Sequence, residues 1–240
     1  MSGFVDLHLH YVPAVDDGVR TIDETRRMLE GLGTLGYTRC VATPHIRSGM
    51  FENRKAGLED AFRALTEQLA GAAVPELGLA SEHFFDDVFW TLFERREVLP
   101  YPGGHAILVE LHPDRWPRGL PERFFQMQVR GLRPMIAHPE RYATLATLTD
   151  PLDELLDAGA MTQLDLMSLV GRYGDRPRRV AERMLDEGAY DIACSDAHRP
   201  EDVEQVARGI ERLRALVGDE QTQALLATNP AGVLDGTYAP

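Results

Sequence analysis

The segment Phe-Val-Asp-Leu-His-Leu-His at residues 4–10 is the most informative part of the chain, because it combines a strand pattern with the chemistry of metal ligands. It has the length of a β-strand, and side chains two positions apart in a strand point to the same side. Asp6, His8 and His10 therefore face one point. Imidazole and carboxylate groups bind divalent metals, so this strand predicts a metal site at its carboxyl end.

Six further apolar runs of strand length follow, and amphipathic segments separate them. The runs cover residues 39–45, 76–82, 106–111, 134–138, 161–167 and 190–196. The first helical pattern opens at Thr21 with Glu24 three positions later, which is the pattern of a capping box. The later helical patterns cover residues 56–70, 86–96, 121–131, 151–158, 178–187 and 201–217. This alternation predicts an α/β fold with a parallel sheet.

The number of strand–helix units favours a closed or nearly closed barrel, in which functional groups collect at the carboxyl ends of the strands. A doubly wound open sheet is the alternative, and it would concentrate ligands at one switch point rather than on nearly every strand. The chain contains no linker, low-complexity tract or internal repeat. We therefore expect residues 1–240 to form a single domain.

Residues of ligand type lie at or just after the ends of these runs. They are His8, His10, His45, Glu82, Glu110, His138, Asp196 and His198, with the acidic pair Asp16 and Asp17 nearby. A lone histidine is usually a satisfied core or surface residue, but the same chemistry at five strand ends predicts a metal centre. The set has no thiolate, which suits manganese, iron or zinc. Its carboxylates can bridge neighbouring ions, which acidify a bridging water to hydroxide and clamp the oxygens of a phosphoryl group.

Three arginines come within three residues of a candidate ligand, namely Arg47, Arg141 and Arg199. A guanidinium group binds phosphate oxygens through two parallel hydrogen bonds, so each is a candidate phosphate-binding group. The alternative for each is a solvated loop residue or a salt bridge. Arg141 is the preferred candidate, and Arg199 is the least favoured because Pro200 begins a helix directly after it.

The formal net charge of −13 argues against duplex DNA or an anionic membrane surface as a partner. Cys40 and Cys194 lie inside apolar runs and are expected to be buried thiols, as in cytoplasmic proteins. The first residues show no signal-peptide pattern, and no apolar stretch has the length of a membrane span. We therefore expect a cytoplasmic protein without membrane insertion.

Five motifs resemble the PHP (polymerase and histidinol phosphatase) superfamily. They are Asp-Leu-His-Leu-His at 6–10, Val-Asp-Asp-Gly at 15–18, Ala-Thr-Pro-His at 42–45, Ala-His-Pro-Glu-Arg-Tyr at 137–142 and Ser-Asp-Ala-His at 195–198. The Asp-Asp-Gly and His-Pro-Glu-Arg-Tyr elements are similar to those of the bacterial CpsB/YwqE-type protein-tyrosine phosphatases. The resemblance extends from the first predicted strand to His198, and the order of the motifs is intact.

The resemblance implies a distorted seven-stranded (β/α)7 barrel with three divalent metal ions, usually manganese. By motif position, the three sites would be His8, His10, Glu82 and Asp196; Glu82, Glu110 and His138; and Asp17, His45 and His198. Arg141 would bind the phosphate of phosphotyrosine. The implied substrate is a phosphotyrosine protein, such as a bacterial tyrosine autokinase of polysaccharide synthesis or export.

Two segments near the predicted site depart from the family pattern, at residues 162–171 and 112–119. They leave two alternatives open, a small-molecule phosphatase of the histidinol phosphatase type and a non-catalytic PHP domain that binds another protein. The intact ligand set argues against the second. The first helix, with Glu24, Arg26 and Arg27, resembles a region used for self-assembly in some relatives, so an oligomer also stays open.

Overall fold

The computed structural model describes residues 3–146 and 150–238, in which parallel strands alternate with helices. The strands are β1 Phe4–Leu9, β2 Tyr37–Ala42, β3 His45–Ile46, β4 Glu76–Leu79, β5 Glu82–Phe84, β6 Ala106–Glu110, β7 Arg133–Ala137, β8 Met161–Asp165 and β9 Ile192–Cys194. The α-helices are α1 Ile22–Thr34, α2 Lys55–Gln68, α3 Asp87–Glu94, α4 Leu120–Val129, α5 Asp150–Asp157, α6 Asp175–Asp186, α7 Asp202–Gln223 and α8 Asn229–Asp235.

The strands form two parallel sheets, one in the order β1-β2-β4 and one in the order β3-β5-β6-β7-β8-β9. The predicted α/β fold with parallel strands is confirmed. These ladders do not confirm a closed barrel of seven strands, because the described residues are divided between two sheets.

The division arises because two predicted runs are each broken in the middle. Thr43 and Pro44 separate β2 from β3, and Ala80 and Ser81 separate β4 from β5. Proline has no N–H to donate to a ladder, so regular pairing ends at Pro44. The hydroxyl of Ser81 donates instead to the carbonyl of Pro44. Each broken run therefore supplies two strands, one to each sheet.

The last strand returns to the first one. Leu9 forms an isolated parallel bridge with Ala197. The N–H of Asp196 donates to the carbonyl of His8 at 2.8 Å, and the N–H of His10 donates to that of Ala197 at 2.9 Å. The candidate ligands that follow β1 and β9 are thereby held side by side.

The first helix begins as the sequence predicts. The hydroxyl of Thr21 accepts a hydrogen bond from the N–H of Glu24 at 3.2 Å, and the Glu24 carboxylate accepts from the N–H of Thr21 at 3.3 Å. These reciprocal bonds complete the capping box. Within the described ranges, no helix is both long and apolar enough to cross a bilayer.

A second cluster of buried apolar residues is smaller than the main core and draws on several strands. In β6, Ala106 and Leu108 precede Glu110 by four and two residues, so they face the same side as this ligand. The cluster comprises Val5, Leu7, Val41, Ala80, Tyr101, Ala106, Leu108, Met135, Ala137, Met161, Ile192, Val233 and Leu234. The intervening residues, such as Ile107, belong to the main core, where the helices pack. Glu110 therefore continues a strand face that is otherwise apolar.

Candidate metal centre

A cavity of about 300 Å³ opens at the carboxyl ends of the strands. Seven of the predicted ligands line it, namely Asp17, His45, Glu82, Glu110, His138, Asp196 and His198. The other two, His8 and His10, are fully buried directly behind Glu82 and Asp196. The nine ligands predicted from the strand ends therefore lie together at one place in the fold.

Glu82, the first residue of β5, is the central carboxylate of the cluster. One of its oxygens, Oε2, lies 3.2 Å from His8 Nε2, 3.7 Å from His10 Nε2 and 3.0 Å from His45 Nδ1. The other oxygen lies 3.1 Å from His138 Nε2. Only 1 % of the Glu82 side chain is exposed, so these four imidazoles form almost its whole polar surrounding.

Asp196 is a second shared carboxylate, and its two oxygens have different neighbours. Oδ1 lies 3.1 Å from His8 Nε2 and 3.4 Å from His10 Nε2. Oδ2 accepts a hydrogen bond from Arg141 at 2.7 Å. Asp196 therefore faces the histidines with one oxygen and the arginine with the other.

Four overlapping groups of side chains in the described residues could hold a metal ion. They are His10, Asp17, His45 and His198; His8, His10 and Glu82; His8, His138 and Asp196; and His45, Glu82 and Glu110. Within each group, one ligand atom per residue lies within 4.8 Å of the others. The four groups contain the same nine residues that the motifs predict as ligands. They differ from the three predicted sites in the partners of His10, His45 and His138. The assignment of ligands to individual ions stays a prediction.

Unpaired polar atoms in the cluster fit a divalent cation. His8 Nε2, His10 Nε2, Asp196 Oδ1 and Glu110 Oε2 are buried and have no hydrogen-bond partner. Polar atoms buried in this way are costly unless something satisfies them. Imidazole nitrogens and carboxylate oxygens that converge without thiolates are a donor set for manganese, iron or zinc. The residues present therefore fit a metal cluster.

The guanidinium of Arg141 lines the cavity and is held from three sides. Besides the bond to Asp196, it lies 3.8 Å from Asp165 Oδ2 and 4.6 Å from the centre of the Tyr173 ring. Its position follows from the short turn Pro139–Arg141, which begins at His138 in the left-handed region with φ of 34°. One turn thus presents both a candidate ligand and a candidate phosphate-binding group.

The other two candidate arginines are placed differently. Arg47 lines the cavity, with its Nη1 atom 3.6 Å from Glu110 Oε2 and its guanidinium 4.1 Å from the Phe84 ring centre. The guanidinium of Arg199 donates to the carbonyls of Gly18 and His198 and is not among the residues that line this cavity. The position of Arg47 is compatible with the predicted phosphate-binding role, whereas the position of Arg199 gives no support to such a role.

This arrangement is matched by a known family. A family model described as "Capsular polysaccharide synthesis, CpsB/CapC" matches residues 4–235. The chain belongs to the CpsB/CapC family. Tyrosine-protein phosphatase YwqE of Bacillus subtilis is 29% identical to this family member over 196 residues, which are 81% of this chain and 77% of YwqE. Tyrosine-protein phosphatase CpsB of Streptococcus pneumoniae is 25% identical over 96% of this chain and 98% of CpsB.

A solved structure extends the likeness to three dimensions. The crystal structures of YwqE and CpsB, described as unique metal-dependent tyrosine phosphatases, include a chain that superposes on this CpsB/CapC member with a TM-score of 0.90. The match covers 98% of this chain and 96% of the other, at 25% identity. An organophosphorus hydrolase variant from Deinococcus radiodurans, with a TM-score of 0.59 at 15% identity, shares the fold alone.

Three imidazoles of the ligand cluster in this family member have raised pKa values, which favours their protonated form. Burial lowers the pKa of His8, but the charges of Asp196 and Glu82 outweigh it and raise the pKa to about 9. Burial also lowers the pKa of His45, but the charge of Glu82 raises it to about 10. Burial lowers the pKa of His198 as well, but a hydrogen bond to Asp17 and the charge of Asp196 raise it to about 9. The surplus of negative charge thus attracts cations to this point.

We predict that manganese binds more tightly as the pH rises from about 6 to about 8, with net release of protons. Imidazoles with raised pKa values keep their protons throughout this range, and an incoming cation must displace them. A higher pH weakens that competition, so the apparent affinity should increase. Titration calorimetry in two buffers of different ionisation enthalpy measures the released protons. The His105→Ala variant, which alters an exposed histidine outside the cluster, should release the same number, and a pH-independent affinity would contradict the prediction.

Two side chains that orient the ligands escape prediction from the sequence. Gln163 Oε1 lies 2.8 Å from His8 Nδ1, and Asp16 Oδ2 lies 2.7 Å from His10 Nδ1. Such partners fix the ring orientation and direct each Nε2 atom towards the cluster. Asp16 is visible only as half of an acidic pair, and a glutamine inside a strand gives no ligand signal. The even spacing from Met161 is the one feature that would assign Gln163 to the inner side.

Proposed function

We propose that this CpsB/CapC family member is a metal-dependent phosphomonoesterase that hydrolyses phosphotyrosine in proteins. The observation that carries the proposal is the convergence of nine ligand-type side chains on one cavity that also contains Arg141. Relatives named tyrosine-protein phosphatases support the substrate class.

We expect three divalent ions in the cluster, with manganese preferred and iron or zinc as alternatives. The nine residues of the four groups would hold them, and Glu82 and Asp196, which each lie close to more than one imidazole, would supply negative charge within the cluster. Bound there, such ions would acidify a water molecule and polarise the phosphoryl oxygens.

The protein's own groups have separate tasks in this proposal. Arg141 would donate to the non-bridging phosphate oxygens, and Arg47, which lines the same cavity, would be a second donor to them. Gln163 and Asp16 would hold the imidazoles of His8 and His10 in one orientation. The complete burial of these two histidines excludes water from the inner side of the cluster, which strengthens its electrostatic interactions.

We also propose that the two sheets belong to one distorted seven-stranded barrel of the PHP type, in a single domain of residues 1–240. The order of strand pairing follows the chain, and the broken runs join the sheets through β2–β3 and β4–β5. The bridge between Leu9 and Ala197 supports closure. An experimental structure with an open gap between β1 and β9 would contradict this proposal.

The proposed substrate is a bacterial tyrosine autokinase of polysaccharide synthesis or export, which accords with the family's description. A cytoplasmic location is part of the proposal, since Cys40 and Cys194 are free, buried thiols. Self-association through the first helix stays a prediction. Deletion of the gene that encodes this protein should increase tyrosine phosphorylation of such a kinase. Unchanged phosphorylation would contradict the proposal that the kinase is the substrate.

A direct assay tests the proposed reaction. Purified protein loaded with manganese would be given a phosphotyrosine peptide, a matched phosphoserine peptide and histidinol phosphate. We expect the highest kcat/KM for the phosphotyrosine peptide. A preference for histidinol phosphate would favour the small-molecule phosphatase, and no hydrolysis of any substrate would favour a non-catalytic binding domain.

Activity is predicted to resist thiol alkylation. Burial raises the pKa of both Cys40 and Cys194 well above the ordinary value, and neither thiol lines the cavity. Thiolates are the reactive form, so these cysteines should be inert. Iodoacetamide should therefore leave kcat/KM unchanged under conditions that inactivate a cysteine-dependent tyrosine phosphatase. Loss of activity while the circular dichroism spectrum is retained would indicate a cysteine nucleophile.

A further inference from the structure

Met50 is an exposed apolar residue in a cavity that is lined mainly by charged and imidazole side chains. Its exposed fraction is 58%, and it lines the same cavity as the candidate ligands. The other large exposed hydrophobic residues in the described ranges, Phe125, Val129 and Leu216, lie on α4 and α7 and do not line this cavity. Isolated apolar residues are common on protein surfaces, so the position of Met50, rather than its exposure, requires an explanation.

A short hairpin fixes Met50 in this position. Arg47 and Phe51 exchange backbone hydrogen bonds of 3.0 and 2.8 Å. Gly49 has a φ of +76°, a conformation that favours glycine, and its N–H donates to the Glu52 carboxylate at 2.6 Å. The Met50 side chain is therefore presented by a structured turn.

Two contacts also connect this hairpin to His45 of the ligand cluster. The Phe51 ring stacks on the His45 imidazole, with ring centres 5.2 Å apart and an angle of 10° between the planes. Asn53 donates to the carbonyl of His45 at 2.8 Å. Met50, Phe51 and Pro113 line the cavity together with the charged side chains and give it an apolar part. A phosphate group suits the charged side chains, and the apolar residues suit the group that bears the phosphate.

We propose that Met50 binds the tyrosyl ring of the substrate and so distinguishes aryl phosphates from alkyl phosphates. The inference rests on the proposed phosphatase function, because the phosphate must sit at the ligand cluster for the ring to reach Met50. Methionine sulfur makes favourable contacts with aromatic rings, and such a contact corresponds to about 2- to 10-fold in kcat/KM. A phosphoserine side chain has no ring to place against the thioether.

The test compares two peptides that differ only in phosphotyrosine or phosphoserine. The Met50→Ala, Met50→Leu and Phe125→Ala variants would be purified with manganese, and kcat/KM would be measured for both peptides. Phe125→Ala is the matched control, since it removes another exposed apolar side chain, one that does not line the cavity. Both positions are exposed, so the fold should be unaffected.

We expect Met50→Ala to lower kcat/KM for the phosphotyrosine peptide by about 2- to 10-fold and to leave the phosphoserine value unchanged. Met50→Leu should lose less than Met50→Ala, because leucine keeps the apolar contact but not the sulfur, and Phe125→Ala should retain the whole preference. Equal losses on both peptides, or no loss on either, would overturn the role of Met50 while the phosphatase function stands. Failure of the unmodified protein to hydrolyse phosphotyrosine would instead overturn the proposed function.

Discussion

The Glu82→Ala variant is expected to lose most of its bound metal and more than roughly 10³-fold in kcat/KM on a phosphotyrosine peptide. Glu82 lies within 3.0–3.7 Å of four imidazoles, so its removal takes a shared negative charge from the centre of the cluster. The histidines would remain in place without the carboxylate that draws cations to them. Metal content by elemental analysis and steady-state kinetics measure the two effects.

The matched control is Glu76→Ala, at the other end of the same predicted run. Glu76 is exposed and pairs with Arg39 at 3.3 Å, which is a surface ion pair of little energetic weight. This variant should keep its metal and its activity. Thermal melting of the metal-free proteins separates loss of metal from loss of fold. Full activity of Glu82→Ala with a normal metal content would contradict a metal mechanism at this cluster.

The sequence predicts the ligand cluster well because strand periodicity is local information. His8 and His10 alternate with leucines, and this alternation directs both imidazoles to one side of β1. The same rule places His83, the neighbour of Glu82 in β5, on the opposite side of the strand, where its ring accepts a hydrogen bond from the N–H of Leu99 at 3.2 Å.

The division into two sheets is harder to predict from the sequence. Pro44 signals an interruption of its run, but the break at Ala80 and Ser81 has no comparable local signal. It depends on the neighbouring run, since Ser81 bonds to the carbonyl of Pro44 and the N–H of Ala80 donates to that of Ala42. Strand pairing is a property of the whole fold, and single-sequence periodicity does not contain it.

The contacts of Arg141 are another feature that local sequence patterns do not predict. The motif that contains Arg141 gives its proximity to His138, but the two residues that flank its guanidinium come from elsewhere in the chain. Asp165 ends β8, and Tyr173 follows it by eight positions, between the predicted strand at 161–167 and the predicted helix at 178–187. Burial raises the pKa of Asp165 to about 8, and the charge of Arg141 opposes that shift.

The Arg141→Ala variant is expected to lose roughly 30- to 1,000-fold in kcat/KM, which corresponds to about 2–4 kcal/mol for a charge-assisted contact with the phosphoryl group. The loss should include kcat, because the contact strengthens as charge redistributes in the transition state. Metal content should not change, since Arg141 contacts Asp196 through Oδ2, whereas Oδ1 faces His8 and His10.

Arg141→Lys should recover only part of this loss, because an ammonium group cannot make two parallel bonds to phosphate oxygens. Loss of the guanidinium should not leave an unpaired buried charge at Asp165, since a carboxyl group whose pKa is already raised by burial can take up a proton. The melting temperature therefore serves as a check that the kinetic effect is local. If Arg141→Ala retains near-normal kcat/KM with full metal occupancy, the arginine is structural, and the metals or Arg47 must hold the phosphate.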